Sequence, residues 1–492
     1  MTSTISIHTN DQQIFKYFKI FSLKNISFFI LFIITVFCVY YVPNTISYLL
    51  ILGYIIAFII SKRDYYWFAF FFILYSTPMG LFSESTADAI HRLPLFSLAS
   101  SFSFSTCDLF VIVAFLKAIQ RKGEFQYTFQ KPLIILLFYF IFLLFLAVFF
   151  HHTPLTVVIE QVRGAFYFSL LYSIPKLLPN KISIYKFFSL ISPFIFVIFL
   201  GGIYFFISNG DYLYYLINPY AEIRQLNLEI QDPFDSRFFL HSGQFVLIFV
   251  VYIYSLIHLQ LTRAKNLYFI TLAIICYTLI IMAALRSWFI IFGIILGVYL
   301  LNNRNKFRNI FYFSLVASLI IIPIISNKMM IPGISAAWNR TATVFQLGQK
   351  ESLSTQSVKM KTEVRLPHQL LYIWENPVTG WGFTDRKADP DTGNFGLLVQ
   401  VGFLGFSLFI YFWIKYLLII QNTKKALAND NLYRYVLNIL LASFLGLLIS
   451  HFTTNQIFGT HFFPVLLSTF FFLSDYYIKE ASNNTVQFTS KT

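Results

Sequence analysis

Apolar positions recur along the whole chain in blocks of about 20, the length a helix needs to cross about 30 Å of hydrocarbon. Helices are the expected solution, because lipid offers no partners for the backbone N–H and C=O groups of a spanning segment. The blocks lie near 25–42, 46–61, 65–82, 105–119, 132–150, 157–178, 184–208, 239–259, 266–283, 287–302, 308–326, 393–419, 432–451 and 457–477. They predict an all-α polytopic membrane protein of about 14 transmembrane helices with one large outer loop. The tenth block is short enough to pair with the ninth as a tight re-entry. The polar first 24 residues lack a short apolar stretch ending in a small-residue cleavage site, so the first span reads as an uncleaved signal anchor.

Composition agrees. Hydrophobic residues make up 57% of the chain and charged residues 12%, against roughly 25% charged in an average soluble domain. The mean hydropathy of +0.68 excludes a soluble globular fold. The 62 phenylalanines read as lipid-facing and helix-packing surface.

Charge then orients the spans, since Lys and Arg of short loops stay preferentially on the cytoplasmic side. With the N-terminal tail inside, every even-numbered loop is basic: Lys62 and Arg63; Arg121, Lys122 and Lys131; Lys176, Lys181 and Lys186; Arg263 and Lys265; Arg304, Lys306 and Arg308; Lys415, Lys424, Lys425 and Arg434. The short outer connections near 43–45, 151–156 and 452–456 carry no Lys or Arg. The organisation predicted is a cytoplasmic tail over 1–24, spans one to eleven over 25–326, a large periplasmic loop over 327–392, spans twelve to fourteen over 393–477, and a cytoplasmic tail over 478–492. The net charge of +15 is then mostly topology signal beside anionic lipid, and nucleic acid is not an expected partner.

Cys38, Cys107 and Cys276 fall in or near predicted spans and form no C-x-x-C pair, so neither a disulfide framework nor a zinc site is indicated. The chain has no P-loop, G-x-G-x-x-G fingerprint, H-E-x-x-H or G-x-S-x-G.

The polar residues that topology leaves unexplained lie on the outer side. The segment 365–375 has apolar residues at 366, 370, 371, 373 and 374, a pattern that suits an amphipathic helix against the membrane surface. It ends at Asn376-Pro377 and turns through Gly380 and Gly382. Arg163 falls inside the sixth span, where an ionisable group costs about 2.5–3.5 kcal/mol at the bilayer centre and less near the ends. Glu160 lies three residues earlier on the same helical face. Arg286 and Arg237 open the tenth and eighth spans, and Arg224, Arg340 and Arg365 lie in outer loops. Arginine forks match phosphate oxygens bidentately, so arginines at headgroup depth would suit a diphosphate whose lipid tail stays in the membrane. The same arginines would also serve as snorkelling anchors or local ion-pair partners.

The run Arg286-Ser-Trp-Phe-Ile-Ile-Phe at the start of a span resembles the O-antigen ligase and O-antigen polymerase superfamily. So do Glu375-Asn-Pro-Val-Thr-Gly-Trp-Gly-Phe at the end of the large loop and Asn394-Phe-Gly-Leu-Leu-Val-Gln-Val-Gly-Phe-Leu-Gly405 at the entry to the next span. The resemblance is sharpest over 237–410. It implies a glycosyltransferase on the outer face of the inner membrane that transfers a glycan from undecaprenyl diphosphate, inverting the anomeric carbon. It implies no nucleotide sugar, no obligatory metal and no cofactor. The acceptor is another lipid-linked repeat unit for a polymerase or the lipid A core for a ligase. Implied partners are the lipid-linked oligosaccharide, membrane lipid, a chain-length regulator and a flippase. Arg163, Arg237, Arg286 and Arg365 are the expected diphosphate-binding residues.

One departure bears on the choice. Ligases of the superfamily carry a His just before the Asn that opens the span after the large loop, and here that place is Gly393 before Asn394. Asp391, with Asp389 beside it, His368 and Glu160 are the candidates for activating the acceptor hydroxyl, and His241 is a further one. The missing His favours polymerase over ligase. Asp389-x-Asp391 also resembles a metal motif of nucleotide-sugar transferases, but it lies on the side without nucleotide sugars. Rivals of another class are a lipid-linked oligosaccharide flippase, which calls for midplane polar residues and internal repeats, and a non-catalytic scaffold.

Overall fold

A computed structural model describes residues 23–41, 44–76, 95–99, 102–121, 129–207, 242–262, 266–283, 285–302, 360–384, 392–427, 431–453 and 462–489, with scattered positions between 307 and 318. They are overwhelmingly helical. Among them, five helices are long and apolar enough to cross a membrane: Lys131–Phe149, Lys181–Tyr204, Gly243–Leu261, Asn394–Ala426 and Leu432–His451. Shorter apolar helices occupy Asn25–Cys38, Thr45–Ile60, Leu267–Met282 and Ser287–Asn302. Ile33, Leu49, Phe138 and Ile141 stand exposed on helix faces. Large apolar side chains outward on helix after helix are a liability in water and the expected surface in lipid.

The chain forms two compact units. The first contains α1 (Leu23–Tyr41), α2 (Asn44–Ile60), α3 (Asp64–Tyr75), a hairpin of β1 (Leu95–Ala99) and β2 (Phe102–Ser105), and α4 (Thr106–Gln120). To these it adds α7 (Leu170–Leu177), α8 (Lys181–Ile191), α9 (Pro193–Ile207) and the first half of α10 (Ser242–Leu261). Here α3 packs on α8, and α4 packs on α7 and α2. Ser105 and Asp108 start α4 with a capping box: the Asp108 N–H donates to Ser105 Oγ at 3.2 Å, and the Ser105 N–H donates to Asp108 Oδ2 at 2.7 Å. Two donors that the first turn would otherwise leave unpaired are thereby satisfied. Gly243 lets the start of α10 lie directly on the Tyr75 carbonyl, a place where a Cβ would collide.

A buried ion cluster closes one end of this unit. The Lys117 ammonium donates to Phe58 O at 2.5 Å and Ser61 O at 2.6 Å, and lies 2.6 Å from Asp64 Oδ1. Two of the three ammonium donors go to carbonyls, and the Asp64 carboxylate stands beside the ammonium as its counter-charge. Arg121 takes the other carboxylate oxygen, Asp64 Oδ2, at 2.6 Å. The end of α2, the start of α3 and the end of α4 are thus pinned together. Arg121 is one of the basic residues attributed to topology by its position, and in the structure it is also a structural partner.

The second unit contains α5 (Gln130–Phe149), α6 (Leu155–Phe166), the remainder of α10, α11 (Leu267–Met282), α12 (Arg286–Asn302), α13 (Leu366–Glu375), α14 (Asn394–Ala426), α15 (Asn431–Thr453) and α16 (Phe462–Thr489). Packing centres on α14, which meets α5, α13, α15 and α16, while α12 packs along α15. Where α14 meets α16, the buried Tyr416 and Ser474 hydroxyls share a 2.6 Å hydrogen bond inside a cluster of Phe129, Phe412, Phe444 and Phe471.

Helices lie where the apolar blocks predict them over most of the described residues, but several are divided. The predicted sixth span is two helices, α6 and α7, joined by a 3-10 turn at Tyr167–Ser169. The seventh is interrupted at Ser192, after which Pro193 starts α9. Helix α14 has a non-helical residue at Gly402, with φ 61° and ψ −175°. Helix α16 continues to Thr489, so the segment predicted as a C-terminal tail begins as helix. Most of the predicted eleventh span, the outer segment 209–238 and most of the loop 327–392 lie outside the described residues.

Candidate functional site

The 33 residues of α14 would measure about 50 Å as one straight helix, far more than about 30 Å of hydrocarbon. The break at Gly402 divides it into a short first half, Asn394–Val401, and a longer second half that is sufficient to cross alone. Breaking a helix frees carbonyls on one side and amides on the other, and buried groups of this kind need partners.

The loop after α13 supplies most of them. Val399 O accepts from the Trp381 N–H at 2.8 Å, and Gln400 O accepts from the Gly382 N–H at 2.7 Å. On the other side of the break, the Phe403 N–H donates to Pro377 O at 2.8 Å and the Leu404 N–H to Val378 O at 3.1 Å. Val401 O accepts from the Tyr139 hydroxyl of α5 at 2.6 Å, with Thr379 O 3.3 Å from the same hydroxyl. The two segments that carry the family resemblance, 375–383 and 394–405, are therefore locked together through their main chains.

Glycine is required at the centre of this lock. Gly380 and Gly402 both have left-handed φ, 67° and 61°, which side chains with a Cβ rarely adopt. Asn376 shapes the loop from inside. Its Nδ2 donates to Gly380 O at 2.6 Å, and its Oδ1 accepts from the Thr379 hydroxyl at 3.0 Å. The Trp381 indole N–H donates to Tyr372 O at 3.0 Å, which satisfies a carbonyl at the end of α13.

Helix α13 lies against α14. Its buried face holds Gln369 and Ile373, and Gln369 is only 3% exposed. The opposite face carries Leu370, Leu371 and Trp374, with Trp374 80% exposed. The apolar pattern alone places Ile373 on the membrane-facing side; the structure turns it onto α14 and leaves Leu371 and Trp374 outward. Preceding α13 is a π-helical turn, Met360–Arg365.

Two of the expected site residues lie near each other in sequence here. Half-buried Arg365 ends the π-helical turn, and exposed His368 lies three residues on, in the first turn of α13; the His368 ring stands edge-on to Tyr372 with centroids 4.7 Å apart. Glu160 and Arg163 lie on α6, which packs on α5 and α16. Arg286 is the first residue of α12, which packs on α15 and α11 rather than on α13. Arg237 and Asp391, with Arg224, His241, Arg340 and Asp389, lie outside the described residues. The first half of α14 starts from Gly393, also in a left-handed conformation at φ 59°. Beside it Asn394 Oδ1 is buried without a hydrogen-bond partner among the described residues.

Sequence reasoning misses four contributors. Tyr139 is one hydroxyl in a long apolar run and carries no local signal. Gln369 and Gln400, both buried, interrupt apolar stretches and are visible as such. His151 belongs to a short connection predicted as outer, whose lack of Lys and Arg is its plainest feature, and its ring lies 5.4 Å from that of Trp381, tilted by 40°.

No family model matches the chain, and no curated protein matches it.

Proposed function

We propose that the chain is a bacterial inner-membrane glycosyltransferase, an O-antigen or capsular polysaccharide polymerase. It joins undecaprenyl-diphosphate-linked oligosaccharide repeat units on the periplasmic face. In this reading the chain crosses the membrane fourteen times with both termini cytoplasmic, and the segment 327–392 is the large periplasmic loop. Arg163, Arg237, Arg286 and Arg365 bind the diphosphate, and activation of the acceptor hydroxyl falls to the group formed by Asp391, His368 and Glu160. Cations that hold the leaving diphosphate best as its charge develops lower the barrier to transfer.

The observation that supports this reading most is the main-chain lock between 375–383 and 394–405. Non-helical backbone at the mouth of an apolar helix is tolerated where protein buries it or where it lines a cavity, and such interruptions recur at the binding sites of membrane proteins. Arg365 ends the turn before α13, and His368 stands on α13, the helix that leads into this lock.

The test is a gel of surface glycans from a deletion strain complemented with wild type, Arg286→Ala and Asp391→Ala. A polymerase leaves lipid A core bearing a single repeat unit when deleted, and neither variant restores long chains although both are present in the membrane. Gly393 in place of the ligase His favours polymerase over ligase. Naked core, with long chains persisting on undecaprenyl diphosphate, would establish the ligase instead. A lipid-linked unit held on the inner leaflet would establish a flippase.

A further inference from the structure

The connection between α5 and α6 is five residues long at most and tightly built. At the end of α5 the Phe150 and His151 N–H groups both donate to Leu146 O at 3.0 Å, and the Thr153 N–H donates to Ala147 O at 3.0 Å. The chain then turns through His152 at φ 50°, the one non-glycine residue with left-handed φ among the described residues. Glycine or asparagine would hold such a turn at lower energy. Backbone strain kept by a residue that is not the best for the turn points to a use for the geometry.

That geometry places His151. Its imidazole is partly buried and lies against Trp381, a ring that is itself fixed at two points, by its backbone N–H to Val399 O and its indole N–H to Tyr372 O. His151 is therefore held against the segment 375–383 by a rigid partner. His368, by contrast, is exposed on α13. Four residues past His151 the chain enters α6, the helix that carries Glu160 and Arg163. From Leu155 to Arg163 the rise is about 12 Å. A sugar whose diphosphate sits at the level of Arg163 would present its opposite face toward the His151 end of the helix. In an inverting displacement the base and the leaving group occupy opposite faces of the ring.

Resting on the glycosyltransferase reading, but in place of its group Asp391, His368 and Glu160, we infer that His151 is the proton acceptor for the acceptor hydroxyl. The hydroxyl oxygen forms the bond to the anomeric carbon, and the bond from that carbon to the diphosphate oxygen breaks with its electron pair leaving on the diphosphate. The hydroxyl proton passes to the unprotonated imidazole nitrogen of His151 and from there to water. His152 serves only to hold the turn.

The experiment uses the full chain in phospholipid vesicles, with lipid-linked oligosaccharide extracted from the deletion strain as both donor and acceptor. His151→Ala and His151→Gln are expected to lower kcat by about 10²–10⁴-fold with KM within twofold, and added imidazole is expected to recover turnover in His151→Ala. His152→Gly, which keeps the left-handed turn, is expected to retain turnover and controls for collapse of the loop. A loss of kcat under tenfold, a loss confined to KM, or no recovery with imidazole overturns the assignment of His151 while leaving the transferase reading intact. A wild-type protein that transfers nothing from this donor overturns the transferase reading, and the assignment falls with it.

Discussion

Gly380 and Gly402 lie so close that a Cβ built on either would collide with the backbone nitrogen of the other. Neither the turn after α13 nor the break in α14 can therefore be understood alone. Each frees backbone groups that the other satisfies, and each demands a left-handed glycine at the point of contact.

Gly402→Ala and Gly380→Ala are each expected to destabilise the second unit by at least about 2 kcal/mol. Left-handed φ alone costs a residue with a Cβ about 1–2 kcal/mol, and the collision adds an overpacking penalty of about 1–3 kcal/mol. Thermal melts of the detergent-solubilised protein measure this. Melting within a degree of wild type would show that the lock is not a stabilising feature. The double alanine should cost less than the sum of the two singles, since the first substitution already opens the shared contact.

Tyr139→Phe removes a single hydroxyl and leaves Val401 O, at the broken end of a helix, without its 2.6 Å donor. An unsatisfied buried carbonyl costs about 1–3 kcal/mol, and the ring itself still fits beside Gly405, which leaves room for it. The expected result is a lowered melting temperature with unchanged expression. Hydrogen exchange should quicken at the Phe403 and Leu404 amides.

Asp64→Asn is expected to be among the most damaging changes in the first unit. It leaves Lys117, whose side chain is 10% exposed, as a buried ammonium with two carbonyl partners and no counter-charge. Breaking a buried pair from one side costs about 3–5 kcal/mol. The double variant Asp64→Asn with Lys117→Met should recover much of that loss, and a cycle built on the two measures their coupling. Additive effects would rule out the pairing. Arg121→Ala should matter far less, because its side chain is 45% exposed and a solvated ion pair is worth about 0–1 kcal/mol.

Much of this architecture is legible in the amino-acid sequence alone. Helix positions follow from apolar blocks because transfer of side chains into lipid dominates the free energy of a spanning segment. The turn at Asn376-Pro377 and the glycines after it are visible as helix breakers. The divisions within helices are harder to see. Nothing in the apolar run around Tyr167 or Gly402 marks a change of backbone, since hydropathy counts side-chain transfer and is blind to where carbonyls find donors. Ser192-Pro193 does carry a signal, because proline disfavours helix in the residue before it. Of the expected site residues, Arg365 and His368 lie near each other because only two residues separate them across the start of α13. Tyr139 and His151 reach the 375–383 segment from far away in sequence, and no local pattern encodes those contacts.

Trp374 offers the sharpest test of how α13 meets its surroundings. Periodicity assigns residues 366, 370, 371, 373 and 374 to a membrane-facing side, yet Ile373 and Gln369 are the residues buried against α14. The outward face is Leu370, Leu371, Trp374 and, past the helix end, Val378, and all four are exposed. An indole left 80% exposed on a helix fixed to an apolar span suits the headgroup region, where tryptophan is enriched. In a variant whose other five tryptophans are replaced by Phe, Trp374 in vesicles should emit to the blue of an indole in water. Lipids brominated near the headgroup end of the acyl chain should quench it more than lipids brominated deep in the chain. Emission at the aqueous position, with no quenching by either lipid, would place this face in water and leave the apolar stripe to a protein partner. Leu371→Asp should then weaken neither stability nor vesicle association, whereas contact with lipid makes it cost on the order of 1–2 kcal/mol through the loss of buried apolar area.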